Sequence, residues 1–317
     1  MSISTDSPSP GRGVRPSFTG ALAWALVAAL TLTACAAPSG PPPNAPEKHA
    51  PPLALTYLGV AGWQLTDGAH TLLVDPYFTR ADVADDAAPL SPNLAQITRY
   101  APARADVILV EHSHYDHLLD VPTIARRTGA TVIGTDSSLN VARADGVAET
   151  QLVVARGGET FDVGPFSVRA LRGLHSLVGL PATPIPREVT MPMEARAYTE
   201  GGTLQYLVRV HGRSILFIGS ANFIEGELTG LRPDVALVAV GLREKIPDYT
   251  CRLMRALGRP RLVLTNHFDA HHEPLGPKQM SLGDDARTSL AKFADEVHSC
   301  APDTKVVVPT HLQPLAL

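Results

Sequence analysis

A continuous apolar run, Val107-Ile108-Leu109-Val110, leads directly into His112-Ser113-His114-Tyr115-Asp116-His117. Four unbroken apolar residues in a soluble chain point to a strand buried on both faces, so the histidines cluster at the end of a central strand. His112 and His114 are two apart on an extended segment, and their side chains therefore leave the same face and can meet one ion. Asp116 and His117 fall at the turn into the next helix and point to a second position beside the first. Imidazole nitrogens with a carboxylate suit zinc, one ion or two, with manganese or iron as further candidates. Calcium and magnesium prefer oxygen donors.

The rest of the chain from Leu53 alternates short β-rich runs with helical stretches and carries no internal repeat, as expected of one α/β domain. Strands are predicted at 53–58, 63–66, 70–75, 107–110, 130–134, 151–155 and 166–172. A hairpin is predicted from 203–210 and 213–219 about His211-Gly212, followed by strands at 235–240, 261–265 and 305–309. Helices are predicted after Asp120, which is placed at the N-cap with Pro122 in the first turn, and at 137–144, 248–257 and 284–299. Strands in a meander, then helices interleaved twice over, fit two packed sheets with helices outside, a four-layer αββα sandwich.

Composition narrows the partners. The 27 basic and 31 acidic residues give a net charge of -4 with no basic stripe, and aromatics are only 5% of the chain, so neither a nucleic-acid footprint nor a stacking platform is present. Before the domain, Arg12 and Arg15 precede an apolar run from Ala21 to Leu32 that suits a signal-peptide core better than a membrane span. It closes on Leu32-Thr33-Ala34-Cys35, which resembles a bacterial lipobox. The expectation is a signal peptide over 1–35, a lipidated Cys35 as membrane anchor, a Pro-rich tether over 36–52 and a folded domain over 53–317. The chain is then an exported lipoprotein facing the periplasm. In an oxidising compartment Cys251 and Cys300 are either a bonded pair or two buried thiols.

The His-x-His-x-Asp-His motif is similar to the hallmark of the metallo-β-lactamase-fold hydrolases. Leu58-Gly-Val-Ala-Gly62 and Leu73-Val-Asp-Pro-Tyr-Phe78 resemble the sugar-lactonase-like and phospholipase-D-like branches of that superfamily, and the likeness covers nearly all of 53–311. The resemblance implies further ligands at later strand ends: His175 for the first ion, and His267 for the second. It also implies a bridging aspartate after the glycine that ends the hairpin. Here Gly219 is followed by Ser220, and the bridge is missing. A pair of ions would be one negative charge short, which implies a weaker second site or an anionic substrate that supplies the bridging oxygen.

The implied activity is hydrolysis of an ester, lactone or phosphodiester bond in a small-molecule or lipid substrate, with Asp116 orienting the water or carrying its proton. The alternatives are a phospholipase-like enzyme on membrane lipids, and a metal-dependent binding or sensor protein that lost turnover with the bridging carboxylate. Asp75 is either a support for the ligand loop or a strand-end cap. Asn222 either bonds a bound oxygen or forms a turn. Residues 176–200, with Met191, Met193 and Tyr198, are expected to form a partly apolar lid, Arg243 and Lys245 to offer anion contacts, and His271 and His272 to line the mouth. The sequence leaves the oligomeric state open.

Overall fold

The computed structural model describes residues 52–275 and 282–317. The proposed signal peptide, Cys35 and nearly all of the tether lie outside the described residues. Among the described residues no helix is long and apolar enough to cross a membrane.

Fourteen strands are described: β1 (Ala54–Gly59), β2 (Gly62–Thr66), β3 (Thr71–Val74), β4 (Val107–Leu109), β5 (Thr131–Gly134), β6 (Leu152–Val154), β7 (Thr160–Val163), β8 (Phe166–Arg172), β9 (Leu204–Val210), β10 (Arg213–Ile218), β11 (Val235–Ala239), β12 (Leu262–Asn266), β13 (Lys305–Val307) and β14 (Pro314–Ala316). They form two seven-stranded sheets, ordered β14-β1-β2-β3-β4-β5-β6 and β13-β12-β11-β10-β9-β8-β7. In the first sheet β14 through β3 pair antiparallel and β3 through β6 parallel. The second sheet has the same division, antiparallel from β7 to β10 and parallel from β10 to β13. In each, the meander builds one half and helical crossovers the other.

The period-two alternation of the strands sorts side chains into three apolar layers. Leu55, Tyr57, Trp63, Leu65, Leu72, Val107 and Leu109 of the first sheet meet Phe166, Val168, Tyr206, Val208, Ile215, Phe217 and Leu237 of the second. The neighbours of these residues face outward. Leu73, Ile108, Val110 and Val132 pack under α1 (Leu94–Tyr100), α2 (Tyr115–Leu118), α3 (Val121–Thr128) and α4 (Asp136–Ala144). Leu216, Ile218, Ala236, Val238 and Val263 pack under α5 (Glu225–Leu228), α6 (Tyr249–Ala256) and α7 (Asp284–Cys300). The result is the four-layer sandwich, and β4 is buried on both faces as its apolar run requires.

Several elements were not expected from the sequence, among them α2 and α5, each only four residues long. β7 is exposed or half-buried along its length and β14 is three residues long at the sheet edge, so neither shows an apolar face. Of the seven residues of α1 only Ile97 is buried, which leaves no stripe to detect. Asp120 does stand at the start of α3, with Pro122 in the first turn, but its carboxylate does not cap the helix. It accepts instead from the N–H groups of Phe78 and Thr79 at 2.6 and 2.8 Å, tying α3 to the loop after β3. Cys251 and Cys300 are joined as a disulfide that staples α6 to α7.

Candidate metal centre

The strand ends deliver the histidines to one edge of the sandwich. β4 stops at Leu109, and the segment after it presents His112 and His114 before α2 begins at Tyr115 and carries Asp116 and His117 on its only turn. His175 follows β8, and His267 follows β12. All six side chains come together, in two groups of three whose donor atoms lie within 4.8 Å of one another.

The first group is His112, His114 and His175. His112 Nε2 and His114 Nδ1 converge to 3.1 Å. The His175 ring stands edge-on to both, with centroids 4.5 and 4.6 Å away. Its Nδ1 faces the Ser176 carbonyl at 2.8 Å, which leaves Nε2 free to turn to the group. The second group is Asp116, His117 and His267, with Asp116 Oδ2 at 3.9 Å from His117 Nε2 and 3.5 Å from His267 Nε2. The groups adjoin, since the rings of His112 and His117 are only 3.8 Å apart between centroids.

Protonation suits this set to metal. Burial pulls His112 well below the ordinary histidine range, takes His114 and His117 down to about 4, and lowers His175. These imidazoles are therefore neutral at pH 7 with lone pairs available, as ligation requires. Burial pushes Asp116 up, but the attraction of His117 and a hydrogen bond from His267 outweigh it and hold the carboxyl well below its usual range. Burial likewise disfavours charge on His267, yet its bond to Asp116 leaves it raised. With three imidazole rings packed this closely, and His112 Nε2 and His114 Nδ1 turned to the same point, the first group is a donor set that a cation can join. The donor chemistry fits zinc, manganese or iron.

Behind the second group lies a carboxyl pair that only the three-dimensional structure reveals. His117 Nδ1 meets Asp75 Oδ2 at 2.6 Å, an outer bond that fixes the ring and its tautomer. Asp75 therefore supports the ligand loop, and its other oxygen accepts the Glu111 N–H at 2.9 Å. The Glu111 side chain is buried beside Asp75, their carboxyl oxygens within 4.8 Å of each other, and accepts the Gly219 N–H at 3.0 Å. Burial pushes both carboxyls above their usual range. Gly219 is needed for this arrangement, because a Cβ there would lie 1.9 Å from Glu111 Oε2 and 2.9 Å from the Ala61 methyl.

The segment that lacks the bridging aspartate serves His175 instead. Ala221 N–H donates to Ser176 Oγ at 2.7 Å, and Asn222 Nδ2 to the His175 carbonyl at 3.0 Å, so Asn222 holds the ligand loop rather than a substrate oxygen. Arg243 corrects the expectation of an anion contact. It is buried, and its guanidinium is paired with Glu296, Ser289 and the Val240 carbonyl. Lys245 donates to the Leu177 carbonyl at 3.0 Å and steadies the loop after His175. The expected lid divides in two: Leu177, Val178 and Leu180 are exposed, whereas Ile185, Met193 and Tyr198 belong to the core. His271 and His272 stand outside both groups, with the His271 ring 6.0 Å from that of Tyr115 at the mouth.

A sequence profile described as the Beta-lactamase superfamily domain matches residues 70–268. The chain is 30% identical over 222 residues to a UPF0173 metal-dependent hydrolase of Rubrobacter xylanophilus, covering 68% of this chain and 81% of that protein. It is 29% identical over 267 residues to a UPF0173 metal-dependent hydrolase of Cupriavidus taiwanensis, covering 77% and 86%. The fold is similar to that of Igni18, a metallo hydrolase from Ignicoccus hospitalis, with a TM-score of 0.56 at 18% identity over 84% of this chain and 98% of that one. It is also similar to the metallo-β-lactamase fold protein YhfI from Bacillus subtilis, with a TM-score of 0.52 at 12% identity over 84% and 99%. With its two-sheet sandwich, strand-end histidines and a profile match spanning most of the domain, this chain belongs to the metallo-β-lactamase-fold family of metal-dependent hydrolases.

Proposed function

We propose that the chain hydrolyses an ester, lactone or phosphodiester bond at a centre where His112, His114 and His175 hold one ion and Asp116, His117 and His267 a second. The observation that carries this reading is the adjacency of two three-donor groups, with buried imidazoles converging from three separate strand ends. A bound zinc-type ion supplies Lewis-acid polarisation of the substrate oxygen and a water activated near neutral pH. Asp116, whose carboxylate stays ionised, would offer an oxygen to orient water at the centre. His117 is kept in place by Asp75, and His175 by Asn222.

A second observation favours an amphiphilic substrate. A cavity of about 410 Å³ opens beside the first group, lined by His114, Tyr115, Val83, Leu180, Pro181 and Ala195 among others. Exposed Leu174, Leu177, Val178 and Leu180 rim the same loop. Such a wall suits the apolar part of a lipid or acyl ester, and a lipidated Cys35 would hold the domain at a membrane. This supports the phospholipase-like alternative.

Both readings are tested by assaying lactones, aryl esters, phosphodiesters and phospholipid vesicles with zinc or manganese added. Turnover that disappears in His114→Ala supports the centre, and phospholipid turnover selects the second reading. Full metal loading with no turnover across the panel contradicts both and favours a binding or sensing role.

A further inference from the structure

His267 presents its ring from a backbone with φ of 51°, in the left-handed region. Such a conformation is unfavourable for a non-glycine residue and persists only where its surroundings enforce it. The enforcing contacts lie outside the metal centre. His267 N–H donates to the Val60 carbonyl at 2.6 Å, and Val60, β-branched and itself at φ 55°, is held in turn. Its N–H donates to Asp269 Oδ1 at 2.9 Å, and its carbonyl lies 2.9 Å from the Tyr57 hydroxyl oxygen, whose single proton goes to the Asp269 carboxylate.

Asp269 is the hub. Its buried carboxylate takes Tyr57 and Val60 on one oxygen, and on the other Arg80 at 3.0 Å and His311 Nε2 at 3.0 Å. Arg80 reaches on to the Ala270 carbonyl at 3.0 Å, through space that a side chain at Gly59 would occupy. His311 comes from the C-terminal tail, which Leu312 N–H fastens to the Tyr57 carbonyl at 2.8 Å and β14 fastens to β1. Its ring also packs on Tyr57, with centroids 4.8 Å apart.

We propose that the C-terminal tail is a working part of the second metal site: His311, acting through Asp269 and Val60, is a positioning residue that holds His267 in its ligand-presenting turn. The inference rests on the reading of His267 as a ligand of that site. Metal binding and tail docking both favour the same turn, so they are coupled, and coupling is reciprocal. Zinc at the second site therefore slows amide exchange in the tail, and loosening the tail weakens the second zinc.

The experiment titrates zinc alone into metal-free full-length protein and follows amide exchange of residues 311–317 with and without zinc. His267→Ala tests the underlying reading and is expected to abolish the second zinc. His311→Phe keeps the ring packing, removes the Nε2 donor and leaves the Arg80–Asp269 pair intact. It is expected to weaken the second zinc several-fold with the first unchanged, and to abolish the zinc protection of the tail. Asp269→Asn is expected to weaken the second zinc by at least about 10-fold, as removal of outer partners does elsewhere. Because that variant strips Arg80 of its buried partner, His311→Phe decides the matter if it fails to fold. Retention of both zincs in His267→Ala overturns the ligand assignment and the proposal with it. Loss of the second zinc in His267→Ala beside wild-type titration and wild-type tail protection in His311→Phe overturns the proposal alone, as does an equal weakening of both zincs.

Discussion

The six side chains that the structure gathers into two groups could be picked out in the sequence because histidines and an aspartate at two-residue and strand-end spacing have few other uses. What supports them could not. Glu111 is a lone acid at the end of an apolar run, and nothing in its neighbours tells that it meets Gly219, 108 positions away. The Asp269 hub joins residues as far as 212 positions apart. Such contacts follow from packing two sheets, which local pattern does not encode. Two predictions belong at this scale. Asp75→Asn leaves one acceptor oxygen for the two groups that Asp75 serves, His117 Nδ1 and the Glu111 N–H, and it should weaken metal binding by about 10- to 100-fold in a chelator competition. Glu111→Ala leaves the Gly219 N–H buried without a partner, and in denaturant melts of metal-free protein it should cost about 1–3 kcal/mol for that group alone. Glu111→Gln, which keeps an acceptor, should cost less.

Elements were legible in proportion to the apolar face they bury. β4, β11 and β12 carry long buried runs and stand within a residue or two of their expected bounds, while β7, β14 and α1 bury too little to announce themselves. Asp120 is the N-cap residue of α3 as its type suggests, yet its side chain answers the buried N–H groups of Phe78 and Thr79 instead of the helix. The pairing of Cys251 with Cys300 was open in the sequence because sequence spacing does not set Cα distance, and here α6 and α7 bring the two within 5.6 Å. The bond spans 49 residues, so by loop-closure entropy Cys251→Ser should lower stability by about 4 kcal/mol at most. Thermal melts with and without reductant check this, and a wild-type protein indifferent to reductant would contradict it.

The whole molecule places its chemistry at one edge of a rigid frame, where β4, β8 and β12 end together. An ion that binds only the native state stabilises it by mass action, so zinc at 100 times its dissociation constant should add about 2.7 kcal/mol, and a chelator should remove it. Missing the bridging carboxylate at Ser220, the two sites should differ in affinity, the group of Asp116, His117 and His267 filling second. Zinc-edge anomalous diffraction from crystals grown with excess zinc locates the ions. Two peaks are expected about 3.5–4 Å apart, one among His112, His114 and His175 and one among Asp116, His117 and His267, the latter of lower occupancy. A single peak shared by both groups, or peaks elsewhere in the domain, would contradict the two-ion centre.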